Sequence, residues 1–198
     1  MREFLKFRLY SHLKRYKMKK LLPFLLVALS CSVQGQKYTP QDDGSRVHFN
    51  IRNFGIKTGG QLSGLKGEIL FFTTDLTACS FQVTVDVSTI DTDSDSRDRS
   101  LRSDEYFDAE KYPQITLVST KIDRTNKTDQ GYYYFTGNLT IRGVTKQVAF
   151  PFRAEKVNND YLFTGEFTLN RIDFGVGSSS AVLSNTVDVT LSVLAKKS

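Results

Sequence analysis

Apolar and polar residues alternate with a period of two along most of the chain beyond residue 36, and this pattern predicts strands. In Ser45–Phe54, Val47, Phe49 and Ile51 fall on one face and Arg46, His48, Asn50 and Arg52 on the other. In Ser80–Ile90, Phe81, Val83, Val85 and Val87 alternate with Gln82, Thr84, Asp86 and Ser88. In Asn185–Ala195, Val187, Val189, Leu191 and Val193 alternate with Asp188, Thr190 and Ser192. Each segment therefore has one face suited to a core and one suited to water. Further strands are expected near 66–73, 114–122, 131–142, 146–156 and 160–171. Turn residues separate them at Gly59-Gly60, Asn126 to Gly131, Arg142-Gly143 and Asn158-Asn159-Asp160. Eight strands joined by short polar turns, with no alternating helices, indicate an all-β antiparallel barrel or sandwich. Closing the sheet removes the edges that would otherwise invite aggregation.

One segment breaks the alternation. Residues 89–107 read TIDTDSDSRDRSLRSDEYF and run on into DAEKYP. A short helical insert is expected near residues 96–107, with Ser94 or Ser96 as its cap and Leu101 and Phe107 on its inner side. Asp93, Asp95 and Asp98 fall where a helix N-terminus favours negative charge. Tyr112-Pro113 ends the excursion, because the residue before a proline is pushed out of the helical region. Ser178-Ser179-Ser180 reads as a loop.

The first 35 residues belong to a different pattern. Met18-Lys19-Lys20 precedes the apolar run LLPFLLVALS, which has the length of a signal-peptide core. It is far shorter than the roughly 20 residues of a membrane-spanning helix. Residues 1–35 are therefore read as a signal peptide, with cleavage after Val33-Gln34-Gly35, Met18 as an alternative start, and 36–198 as the mature domain. Periplasmic or secreted localisation follows. Lipid attachment at Cys31 is a minor alternative, weakened because the leucine of Ala28-Leu29-Ser30 stands one place too close.

The leader also changes the meaning of the charge. The chain carries a formal +6, but eight of its 27 basic residues and one of its 21 acidic residues lie in 1–35. The remaining 19 basic and 20 acidic residues give the mature part a net charge of −1, so a nucleic-acid reading, which needs a basic patch on the folded domain, loses its main support. Cys79 is the lone cysteine of the mature part, so no internal disulfide is expected there and core packing must hold the domain. In its apolar context Cys79 reads as a small buried hydrophobe.

Few residues suggest chemistry. His48 is the mature part's one histidine and lies on the outward face by parity, so metal binding and a Ser-His-acid triad both lack the partners they need. No G-x-S-x-G occurs. Asp91-Thr92-Asp93-Ser94-Asp95 lacks the glycine and terminal glutamate of a calcium loop. No catalytic residue, metal or cofactor is expected. Arg97 and Arg99 are candidates for a cationic rim that meets an oxyanion headgroup, since the planar guanidinium binds such groups bidentately. Asp98 and Arg102 are read as a capping and ion-pair cluster that fixes the insert. The candidate apolar lining comprises Phe49, Ile51, Phe81, Val83, Val85, Leu117, Leu139, Ile141 and Phe167. An eight-stranded barrel can be filled by such side chains or can hold one small ligand, and the alternation fits both.

Four ordered segments carry a resemblance. SRVHFNIRNFGIKTGGQLSGLKGEILF, VTVDVSTIDTDSDSRDRSLRSDEYFDAEKYPQI, FTGNLTIRGVTKQVAFPF and NRIDFGVG together resemble the YceI-like family over about Ser45 to Lys196. The resemblance implies a secreted bacterial protein with a lipocalin-like, eight-stranded barrel that binds polyisoprenoid or related lipids without catalysis. Its implied partner is a long-chain lipid or isoprenoid, with no nucleic acid and no stable membrane span. A homodimer is compatible with it, as is a filled barrel that serves as an interaction or stress-related module. Asn53 and Ser100 stand where family members often carry histidine, so headgroup recognition is expected to differ here. The Asp173-Phe174-Gly175 within NRIDFGVG lacks every accompanying kinase element. It is expected to close the barrel, with Arg171 paired to Asp173 and Gly175 in an unusual backbone conformation.

Overall fold

The computed structural model describes residues 36–198, so the leader, its cleavage site and Cys31 lie outside the described residues. Nine strands follow in order: β1 (Lys37–Pro40), β2 (Arg46–Asn53), β3 (Ile56–Leu70), β4 (Ser80–Asp91), β5 (Gln114–Arg124), β6 (Tyr132–Ile141), β7 (Val144–Val157), β8 (Asp160–Asn170) and β9 (Leu183–Lys197). Among the described residues a single α-helix, α1 (Asp95–Arg102), lies between β4 and β5. Each of β2 to β9 pairs antiparallel with its neighbours in sequence, and β9 returns to pair with β2, which closes an eight-stranded up-and-down barrel. β1 is the short ninth strand. It fills the place between β3 and β9 below the start of β2, with Tyr38 opposite both Ile69 and Lys197.

Two parts of the sheet differ from expectation. Gly59-Gly60 is not a turn but lies within β3, opposite Asn50 and Phe49 of β2. The turn between β2 and β3 is Phe54-Gly55. Glycine is needed at position 60 because a Cβ there would lie 2.6 Å from the Asp91 carbonyl oxygen and 2.8 Å from the Phe49 ring. β3 also begins ten residues before the expected strand. Its register to β4 shifts between Gln61 and Ser63 and again between Ser63 and Lys66. Gly64 sits inside this bulge with φ +73°, and the Asp42 carboxylate accepts from the Gly64 and Leu65 amides at 3.1 and 2.8 Å. An extra residue of this kind resets which side chains face inward, so Leu62 and Leu65 are both buried and strict alternation fails.

The interior is packed unevenly. At one end Phe71, fully buried, is surrounded by Tyr133, Tyr161 and Phe163 at ring-centroid distances of 5.2, 5.2 and 5.3 Å. Edge-to-face contacts of this sort add to the apolar burial itself. Tyr38, Phe81, Phe135, Phe150 and Phe152 extend the same cluster. Cys79 packs against it, half-buried, with its Sγ accepting from the Phe72 amide at 3.2 Å. Burial pushes its thiol pKa up. Toward the other end the cluster gives way to smaller aliphatic side chains of β2, β4 and β9.

Candidate functional site

Above the aromatic layer the barrel holds a cavity of about 530 Å³, within the range of about 300–1,000 Å³ typical of small-molecule sites. All nine residues of the expected apolar lining, Phe49, Ile51, Phe81, Val83, Val85, Leu117, Leu139, Ile141 and Phe167, line it. So do Leu101 and Phe107 of the insert. Single-sequence reasoning missed Leu62 and Leu65, hidden by the bulge, and Tyr106, Val176 and Leu183, which lie in or beside irregular segments with no period to read. The rings of Phe81, Phe135, Phe152 and Phe163 belong both to the lining and to the aromatic cluster, so they form the floor.

The exposed polar groups lie at the opposite end. Among all lining residues, only Asn53, Ser96, Arg97 and Ser100 are exposed. They come from the end of β2 and from α1, and they mark the mouth. Arg99, the other expected rim residue, is exposed on α1 but is not among the lining residues. Residues 97 and 99 are two apart, and such neighbours on a helix do not face the same way.

The insert is held as a fixed cover. α1 begins one residue before the expected segment and ends at Arg102. Irregular turns then lead to Tyr112, because the segment after Arg102 bonds back on itself: the amides of Phe107 and Asp108 donate to the carbonyls of Leu101 and Ser103. Thr92, at the end of β4, is the anchor. Its amide and hydroxyl donate to the buried Asp98 carboxylate at 3.0 and 2.5 Å. Arg97 donates from Nε to the Thr92 hydroxyl at 2.8 Å and from Nη2 to the Thr92 carbonyl at 2.6 Å. Arg102 donates from Nη2 to the Ile90 carbonyl at 2.9 Å. The expected Asp98–Arg102 ion-pair cluster is therefore replaced by hydrogen bonds to the strand end. Arg142 fastens the far side, donating to the carbonyls of Gly175 and Asp104.

Arg171 corrects a further expectation. It makes no ion pair with Asp173, which is exposed. Instead the guanidinium, 4% exposed, donates to the carbonyls of Ser184, Val176 and Ser178 at 2.9, 2.8 and 2.8 Å and to Asn185 Oδ1 at 3.3 Å. Burial lowers its pKa, with Tyr106 opposing, yet an arginine stays charged in a protein. Arg171 thus ties the 175–185 loop to the barrel rim and adds one buried cation to the cavity wall. Gly175 does take a left-handed conformation, φ +68°, as the cap of the short 3-10 turn Arg171–Phe174.

A closed antiparallel barrel with an apolar interior cavity and a polar mouth defines the class: a small β-barrel of lipocalin-like architecture. The comparisons place it further. The family model for the YceI-like domain matches residues 38–195, and the chain belongs to that family. A UPF0312 protein of Pectobacterium atrosepticum is 28% identical over 164 residues, covering 79% of this chain and 83% of its own. Protein YceI of Salmonella arizonae is 28% identical over 187 residues, covering 88% and 96%. Among solved structures, Burkholderia cenocepacia BcnA superposes with a TM-score of 0.73 at 23% identity, covering 78% of this chain and 98% of that one. A polyisoprenoid-binding domain of Saccharophagus degradans, implicated in plant cell wall breakdown, gives 0.66 at 15% identity, covering 81% and 98%. At these identities the two structures speak for the fold.

Proposed function

We propose that this protein is a secreted, non-enzymatic carrier for a long-chain amphiphile, an isoprenoid or acyl lipid, working in the periplasm or outside the cell. The observation that carries the reading is the apolar cavity whose exposed polar lining is confined to one end. The tail lies along the barrel axis with its end against the aromatic floor. The headgroup sits among Asn53, Ser96, Arg97 and Ser100. Arg97 already spends its Nε and one Nη2 hydrogen on Thr92, so its remaining donors are the ones turned to a ligand. Asn53 and Ser100, in the two positions where the family resemblance implies histidine in many members, offer neutral donors and acceptors whose strength does not change between pH 5 and 8. The polyisoprenoid-binding description of the Saccharophagus degradans neighbour points to the same ligand class.

The competing reading, a filled barrel acting as an interaction module, requires a continuous side-chain core, and the cavity weighs against it. Native mass spectrometry of protein purified from its own cell envelope, followed by organic extraction, separates the two. The carrier reading expects a stoichiometric adduct that extracts as a long-chain lipid. A bare mass that persists after incubation with envelope lipids overturns it.

A further inference from the structure

We propose that the β2–β3 hairpin is a docking tip that inserts into an anionic lipid bilayer beside the cavity mouth. The two-residue turn Phe54-Gly55 has positive φ at both positions, +50° and +78°. This is the geometry of a type I′ turn, which favours Asn-Gly; a bulky aromatic is disfavoured at the first position. Phe54 is nevertheless 74% exposed and Ile56, two residues on, 72% exposed. The Phe54 amide donates to the Val182 carbonyl at 2.8 Å, which brings the backbone of Val182, itself an exposed apolar residue, beside the tip. Directly behind it, Arg52 and Lys57 face each other across the hairpin. Like charges in that relation oppose pairing. Neither has a carboxylate within ion-pair distance among the described residues; Asp188 shares their shallow groove without pairing.

Three features at one tip thus work against folding: a strained aromatic, exposed hydrophobic side chains and an opposed pair of cations. None is explained by packing. Together they form an apolar point with a basic collar. That is the chemistry of a surface seated at the boundary of headgroups and acyl chains and drawn to anionic lipid. Three apolar side chains on two loops are too few for a stable protein interface, which takes about 800 Å² from each partner. Asn53 and Thr58, on the same hairpin, line the cavity, so docking here would bring the mouth to the membrane. Docking does not depend on what the cavity holds, and the two are read separately.

The test is co-sedimentation of the protein, in the form its native cell produces, with phosphatidylcholine vesicles containing or lacking phosphatidylglycerol. Expected is binding that needs phosphatidylglycerol, weakens as salt rises, and falls on the order of tenfold or more when Phe54→Asn and Ile56→Thr are combined. The Asn-Gly turn that results suits the backbone, so the variant should melt no lower than the parent. Uptake of a fluorescent fatty-acid probe from solution should be unchanged in it, which separates docking from ligand binding. Lack of vesicle binding by the parent protein, or equal binding by the double variant, overturns the proposal. So does a parent that sediments as a dimer and a variant that sediments as a monomer, since the tip would then be a contact between copies.

Discussion

Val189→Trp tests whether the cavity is the place where a tail lies. Val189 is half-buried on β9 and lines the cavity. Its register neighbours are Phe49 on β2 and Phe167 on β8, both lining residues. An indole at this position extends into the space between them. Tryptophan brings about seven more heavy atoms than valine, and at about 0.8 kcal/mol for each methylene they displace, the tail burial forfeited is of order 5 kcal/mol. Part is recovered, because the tail can shift toward the mouth and rest on the ring. About half of that sum, near 3 kcal/mol, corresponds to a loss of roughly 100-fold in affinity. Folding should suffer little: overpacking a filled core costs about 1–3 kcal/mol, and here the added atoms enter open space. Titration with a fluorescent fatty acid, alongside a thermal melt, reads both effects. A variant that melts like the parent and binds with unchanged affinity would refute an axial site.

Arg171→Met should be strongly destabilising, because it leaves three carbonyls and the Asn185 side-chain oxygen without their donor. A loss of about 3 kcal/mol, or a Tm about 6–12 °C lower, is expected by calorimetry, and Arg171→Lys should recover only part, since an ammonium cannot reach a fork of acceptors. Tyr38, Tyr133, Tyr161 and Cys79 all have pKa values raised, first of all by burial. The unfolded chain therefore releases these protons sooner, so the associated stability is intact below their ordinary values near 8.5 and 10 and is lost as pH rises beyond them. Melting curves from pH 8 to 11 should show this decline, and Tyr133→Phe with Tyr161→Phe should flatten it; an unaltered slope would assign it elsewhere. Chain length gives a further check: from Phe135 at the floor to Ile141 the lining runs six residues of β6, roughly 20 Å along the strand and roughly 15 Å along a barrel axis tilted by about 40°. One leaflet of a bilayer has about that thickness, so affinity across a fatty-acid series should rise with length and level off near common membrane acyl lengths, whereas a continued rise would mean the floor opens.

The alternation of β2, β4 and β9 was legible because each has one face in the interior and one in water. The turns β5–β6, β6–β7 and β7–β8 were legible where Asn and Gly stood at hairpin ends, whereas the β2–β3 turn at Phe54-Gly55 was not. What escaped had physical causes. β1 is four residues long, too short for a period to appear. β3 carries Gly59, Gly60, Gly64 and Gly67 within a bulged strand, and the first three precede the segment expected as strand. Glycines that look like punctuation in sequence are there to admit close neighbours: a Cβ at Gly67 would lie 2.0 Å from the Gln82 carbonyl oxygen. The partners of Arg171 and of Asp98 were misread for a related reason. Sequence proximity suggests ion pairs between charged neighbours, whereas both groups bond to backbone or hydroxyl groups brought close by the chain's return.

The cavity itself could not have been read from alternation, because lining and core use the same residue types in the same positions. What distinguishes them is the distribution of ring volume along the barrel. β6, β7 and β8 place Phe135, Phe150, Phe152, Tyr161 and Phe163 toward one end, where Phe71 enters among them. β2 and β9 meet the other end mostly with valine, leucine and isoleucine. Phe49 is the exception there, and it remains half-buried at the cavity wall. The large rings carry the tight packing on which stability rests, and the smaller side chains are relieved of that task. The insert then closes over the emptier end without filling it: Leu101 and Phe107 reach down, but Thr92, Asp98 and Arg97 hold α1 at the strand end. On the carrier reading, with that cover fixed by buried hydrogen bonds, a ligand would enter past the exposed residues Asn53, Ser96 and Ser100, between α1 and the β2–β3 hairpin. The mouth and the apolar tip are therefore formed by the same hairpin, which is why loading and membrane contact are expected to be separable by mutation yet adjacent in space.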